Sequence, residues 1–141
     1  MTTESNLEKV LKSGSFAVTS ECGPPRGADT EAIRKKGAFL KGYVDGVNVT
    51  DNQTSVVRMS SFSASLVLKE MGFDPVMQMV CRDRNRIAIQ SDILGAAALG
   101  IHNLLCLSGD HQSFGDHPSA KNVFDIDSIQ LIQTVKRMRD D

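Results

Sequence analysis

Four groups of residues in this chain have side chains able to do chemistry, and each follows a short apolar run. Glu21 and Cys22 close the stretch FAVTSECGPPRG, residues 16–27. Thr50 and Asp51 close GVNVTD, Gln78 lies in VMQMVC ahead of Arg82 and Asp83, and Ser108, Gly109 and Asp110 follow NLLCL. Carboxylates beside amides and hydroxyls suit proton transfer and the orientation of a polar ligand. A carboxylate at the exit of a buried strand is costly to desolvate, so it has a partner or a task. For Glu21 two readings stand: a salt bridge to Arg26 or to another strand's arginine, or a general acid raised in pKa by apolar surroundings. For Asp110 the choice is between a turn or cap residue and a site residue.

Other chemistries fare worse. Neither GxGxxG nor GxxxxGK[ST] occurs, which argues against a dinucleotide or P-loop site. Two Gly-Asp-His triplets, at 109–111 and 115–117, raise a metal site, but no HExxH or CxxC spacing accompanies them, and we expect no metal. Cys22, Cys81 and Cys106 lie in or beside apparent strands and read as reduced, buried small hydrophobes. Arg82, Arg84 and Arg86 could bind phosphate, although charges at a helix start are more often solvated.

The elements that must position these groups follow from the apolar spacing. Ser5 and Gly14 bound a short leading helix with Leu7, Val10 and Leu11. Strands are predicted over 16–22, 46–51, 76–81 and 103–107. Between and after them, helices are predicted from Ile33, Gly37 and Leu40; from Phe62, Leu66 and Val67; from Ile87, Ile89, Ile93, Leu94 and Ala97; and from Ile129, Ile132 and Val135. Asp29 or Thr30 can cap the first of these, the second runs from about Ser60, and Asp125 or Asp127 starts the last.

One helix followed by four βα units predicts parallel strands, either in an open doubly wound sheet or in a (β/α)8 barrel. Side-chain parity favours the barrel. Turning Glu21, Thr50 and Asp110 inward takes Thr19, Asn48, Ser108 and Cys106 with them, and leaves Val18, Val47, Val49, Leu105 and Leu107 for a helix layer. A complete barrel takes about 250 residues. The expectation is therefore a single domain over 1–141, an α/β half barrel that is a fragment or needs a partner, most simply a copy of itself.

Composition bounds the rest. The chain has 141 residues, is 40% hydrophobic and 23% charged, and carries a net charge of −1. Nothing there calls for nucleic acid or an anionic membrane. No apolar run reaches the roughly 20 residues of a membrane span, and MTTESNLEKV lacks the basic and apolar regions of a signal peptide, so a cytoplasmic protein is expected.

ECGPPRG after a strand, VNVTDN, a strand ending in Cys before RDRNR, and LCLSGDH together resemble the methylenetetrahydrofolate reductases. The likeness is closest to the bacterial type found in the one-carbon metabolism of anaerobes. It implies a flavin-binding (β/α)8 barrel, usually with FAD and with FMN as the alternative. Such a protein reduces 5,10-methylenetetrahydrofolate to 5-methyltetrahydrofolate for methionine or acetyl-CoA synthesis. The electrons come from a reduced nicotinamide or another donor, which a partner subunit could deliver. Residue by residue, the resemblance makes Glu21 the general acid at the folate and sets Asp110 near both flavin and folate. Thr50, Asp51 and Gln53 fall at flavin contacts. Gln78 stands where better-known members have histidine, and Ser108-Gly109 where they have Arg-Gly, so the contacts at strands three and four depart from that pattern. The rival readings are a half barrel acting as a structural or interaction subunit, and a metal-dependent barrel lyase or hydrolase.

Overall fold

The structure, a computed structural model, describes residues 4–141. Helix α1 (Asn6–Lys12) leads, followed by β1 (Thr19–Cys22), α2 (Thr30–Leu40), β2 (Gly46–Val49), α3 (Ser61–Glu70), β3 (Pro75–Val80), α4 (Arg86–Ala98), β4 (Asn103–Leu107) and α5 (Ser128–Asp140). All four strands are parallel and lie in the order β1-β2-β3-β4. Right-handed crossovers that always step in one direction put every helix on the same face of a sheet. That order is the one a barrel's successive strands take, and among the described residues it shows no reversal at a switch point, the mark of a doubly wound sheet.

The local causes are visible. Ser5, Asp29, Ser60, Asn85 and Asp127 each accept a backbone N–H of the helix they precede. Asp127 also forms a reciprocal capping box with Gln130, so the last helix starts there rather than at Asp125. The first strand is shorter than predicted. Residues 16–18 have no strand partner; Phe16 is 90% exposed, and the Val18 amide donates instead to the Asp45 carboxylate at 2.8 Å. Helix α1 lies at the amino ends of the strands, where the Leu7 amide donates to Asp74 and the Asn6 amide side chain to the Asp45 carbonyl.

Two apolar clusters lie between sheet and helices. Cys22, Val47 and Val49 meet Ile33, Ala64, Val67 and Leu68. Met77, Met79 and Cys81 meet Ile89, Ile93, Ala96 and Leu131, with Leu104 and Cys106 packed alongside. The fourth strand therefore corrects the parity reading. Register pairs Gln78 with Leu105, Met79 with Cys106 and Val80 with Leu107, so Cys106 faces the helices while Leu105 and Leu107 share the opposite face with Gln78 and Val80. Counting back by twos from Asp110 failed because Gly109, at φ +95°, breaks the alternation.

Helix α5 carries two apolar stripes, and the one on the core is Leu131, Val135 and Met138 at i, i+4 and i+7. Ile129 and Ile132, expected inside, are 66% and 55% exposed. In α4 the buried stripe is Ile89, Ile93 and Ala96, while Ile87 and Leu94 stay exposed. Among the described residues no helix is long and apolar enough to cross a membrane.

Candidate functional site

At the carboxyl ends of the strands lies a cavity of about 450 Å³. Glu21, Thr50, Asp51, Gln53, Gln78, Ser108, Gly109 and Asp110, all named from sequence, line it together with Asn52, Val80, Arg82 and Leu107. Residues from four sequence-distant strand ends thus meet in one place. Val80 and Leu107 give it an apolar floor, and the amides, hydroxyls and carboxylates give it a polar rim.

Glu21 is exposed, and its side chain has neither an ion pair nor a hydrogen bond among the described residues. The salt bridge weighed from sequence does not form. Nor do this chain's own residues surround Glu21 with the apolar walls that the desolvation reasoning required. Thr50 is the contrary case: it is 3% exposed, and its hydroxyl is buried without a partner. Gly23 leaves the space beside it open; a Cβ there would come within 3.7 Å of Thr50 Oγ1 and 3.4 Å of Gln53 Oε1. A buried, unpartnered hydroxyl is costly, so a ligand atom that pairs with it is favoured. Neutral amides, an orphan hydroxyl and an apolar floor suit a planar heteroaromatic group with polar edges, as a flavin is.

Asp51 is committed otherwise. Its carboxylate accepts the Val80 amide at 3.0 Å and Arg84 Nη1 at 2.8 Å, extending the β2–β3 ladder past the last paired residue. Burial disfavours the Arg84 charge, but bonding to Asp51 outweighs this and raises its pKa. Ser108 is half committed: its hydroxyl accepts the Ser128 amide at the start of α5.

Sequence reasoning missed the centre of this end of the molecule. Arg82 is 2% exposed, not solvated. It forks onto Asp83, with Nε and Nη2 both at 2.7 Å. Nη1 donates to the Ser55 hydroxyl at 2.9 Å and the Asp110 carbonyl at 3.0 Å, while Nη2 reaches the Asn52 carbonyl at 3.3 Å. Burial pushes the Asp83 carboxyl up, but the Arg82 guanidinium, helped by Asn52 and Arg84, holds it below the usual range. The signal was available, since Gln78, Val80 and Arg82 alternate onto the same face.

The loop after β2 needs that support. Asn52, Thr54 and Ser55 have φ of 44°, 55° and 59°, a left-handed run without a glycine, and such residues cost on the order of 1–3 kcal/mol each. The loop after β4 clamps it. Asp110 Oδ2 accepts the Thr54 amide at 3.1 Å, and Asp116 accepts the Val57 amide at 3.3 Å. The Ser55 hydroxyl lies 3.0 Å from the carbonyls of both Asp110 and His111. Between the two aspartates, Gly115 touches the Ser55 backbone so closely that a Cβ would fall 1.8 Å from its carbonyl oxygen. The two Gly-Asp-His triplets are thus a two-point loop clamp. No group of three or more His, Cys, Asp or Glu placed to hold a metal occurs among the described residues.

A one-sided parallel α/β sheet with a polar cavity at its strand ends defines a barrel-type protein whose candidate site lies where such folds bind ligands. The family model for methylenetetrahydrofolate reductase matches residues 6–141. The chain belongs to the methylenetetrahydrofolate reductase family, which makes its coarse class an oxidoreductase of folate metabolism on a barrel fold. No curated protein matches it.

Proposed function

We propose that this chain carries the folate-facing part of a flavin-dependent methylenetetrahydrofolate reductase of the bacterial type. In this reading, 5,10-methylenetetrahydrofolate is reduced to 5-methyltetrahydrofolate. The observation that carries it is the meeting of all eight candidate residues in one strand-end cavity, in a chain matching this family over residues 6–141.

Glu21 is the general acid. Its carboxyl group delivers the proton that a folate nitrogen takes up as the five-membered ring opens to an iminium. Its freedom from any ion pair supports that role, because no cation among the described residues occupies its carboxyl group. Asp110 stands across the cavity, its Oδ2 held by the Thr54 amide, and supplies a fixed negative charge beside the reacting groups. The Thr50 hydroxyl and the amides of Gln53 and Gln78 hold the cofactor's polar edge. Ser108 and Gly109 border it, and Val80 and Leu107 keep water from its face. Asp51 contributes through its backbone, since Arg84 and the Val80 amide occupy its carboxylate. The cofactor is FAD, with FMN the alternative; when bound it supplies hydride, drawn from a reduced nicotinamide or another donor, and the protein supplies position and charge.

The four units are half of a barrel, and the outer edges of β1 and β4 have no strand partner among the described residues. The lumen is completed by a second half, whether further polypeptide or another copy. Flavin uptake tests the reading: the purified chain, titrated with FAD or FMN, quenches flavin fluorescence, and Thr50→Val weakens the effect. Failure to take up either flavin, alone or with a complementing half barrel, favours the structural-subunit reading instead.

A further inference from the structure

The cavity's β2 and β4 walls come from loops that bond to one another through Thr54, Ser55 and Val57. One buried side chain reaches both. Arg82 spends its guanidinium on the Asn52 carbonyl, the Ser55 hydroxyl and the Asp110 carbonyl, and Asp83 balances its charge. Each of these contacts constrains strained or site-bearing backbone. Asn52 and Ser55 bracket the left-handed run, and Thr54 within it donates to the Asp110 carboxylate. Backbone in that region persists only where its surroundings over-determine it. A lysine could not serve these acceptors together, because only the planar fork presents donors in fixed divergent directions.

We propose that Arg82 is a positioning residue: it fixes the strained 52–55 loop and Asp110 as one body, so that both walls of the cavity are set before a ligand arrives. The positioning stands on the geometry alone. Its consequence for flavin rests on the function proposed above.

The test is backbone amide exchange at Thr54 and Ser55 in the 141-residue chain, followed by flavin titration. In Arg82→Met the two amides exchange at least about a hundredfold faster, while those of Val47 and Val49 in β2 change by less than about threefold. Asp83→Asn keeps the side chain's size and leaves Arg82's donors to both loops in place, and it gives an intermediate acceleration of about tenfold, which decides the matter if Arg82→Met does not fold. In a chain that takes up flavin, Arg82→Met also weakens the flavin Kd by about tenfold or more with β2 protection unchanged. Unaltered exchange at Thr54 and Ser55 overturns the proposal, as does faster exchange with undiminished flavin affinity. A wild-type chain that takes up no flavin counts against the proposed function alone, and the exchange result still judges Arg82.

Discussion

Arg84 closes on the fully buried carboxylate of Asp51, Nη1 to Oδ2 at 2.8 Å, and binds Asp92 with its Nε at 3.1 Å. It therefore ties the end of β2 to the first turns of α4. Removing one partner of a buried pair leaves an uncompensated charge, which commonly costs about 3–5 kcal/mol. Arg84→Met is expected to lose about 3 kcal/mol in urea unfolding, the low end because the Val80 amide still serves Asp51. An unchanged midpoint and slope would show that the pair contributes nothing net.

Glu21→Gln separates the proton from the position. The variant keeps the side chain's size and is expected to bind flavin as the wild type does. Folate reduction in the assembled enzyme falls by about 10²–10⁴-fold, the usual contribution of general acid–base catalysis. Near-normal turnover across the pH range would remove Glu21 from the role.

At Gly115 the constraint is steric. A methyl group there overlaps the Ser55 carbonyl, so Gly115→Ala must push the β2 and β4 loops apart. The expected loss is about 2 kcal/mol, typical of forced backbone shifts. Gly27→Ala is the control: nothing lies within 4 Å of its Cβ position, and its stability should stay within about 0.5 kcal/mol of wild type.

Acid should loosen the junction between the β4 loop and α4. The Arg86 side chain and amide hold the Asp125 carboxyl at about 2, below its ordinary 3.8. A depressed carboxyl contributes stability that is fully present above the unfolded value and is lost as pH falls through the folded one. The stability difference between wild type and Asp125→Asn should be constant above pH 3.8 and shrink toward pH about 2, the two values between which Asp125 titrates. High salt should reduce it, because the pair is exposed. A difference independent of pH would refute the assignment.

The thiols should be inert in the folded chain. Burial pushes all three upward, and Cys81, with Cys106 nearby, reaches about 11. Alkylation near neutral pH is expected to be slow until denaturant is added. Rapid labelling of Cys81 in the native chain would contradict its packing in the core.

Periodicity carried much of this into view from the sequence. β4 was legible to the residue because Leu104–Leu107 is an apolar run, led by Asn103, between a helix stop and a glycine. The cap at Ser5 was legible from side-chain chemistry, and those at Asp29 and Asp127 to within a choice of two residues each. What misled was anything settled by tertiary choice. Helix α5 offers two apolar stripes of similar quality, and only contact with β4 decides that Leu131 rather than Ile132 goes inside. The exposure of Glu21 depends on what covers the lumen, which no local pattern states. Arg82 looked like a solvated helix-start charge because RDRNR reads as a polar run, and the acceptors that bury it come from residues 27 to 30 positions away.

The two Gly-Asp pairs have one more consequence. Asp110 and Asp116 hold the amides of Thr54 and Val57, so six steps along one loop are pinned against three along the other, with Gly115 seated on Ser55 between them. The arrangement works as a length gauge. Adding or deleting a residue in either interval would put the second pin out of reach of its amide. Ordinary surface loops drift in length independently; these two can change only in matched increments.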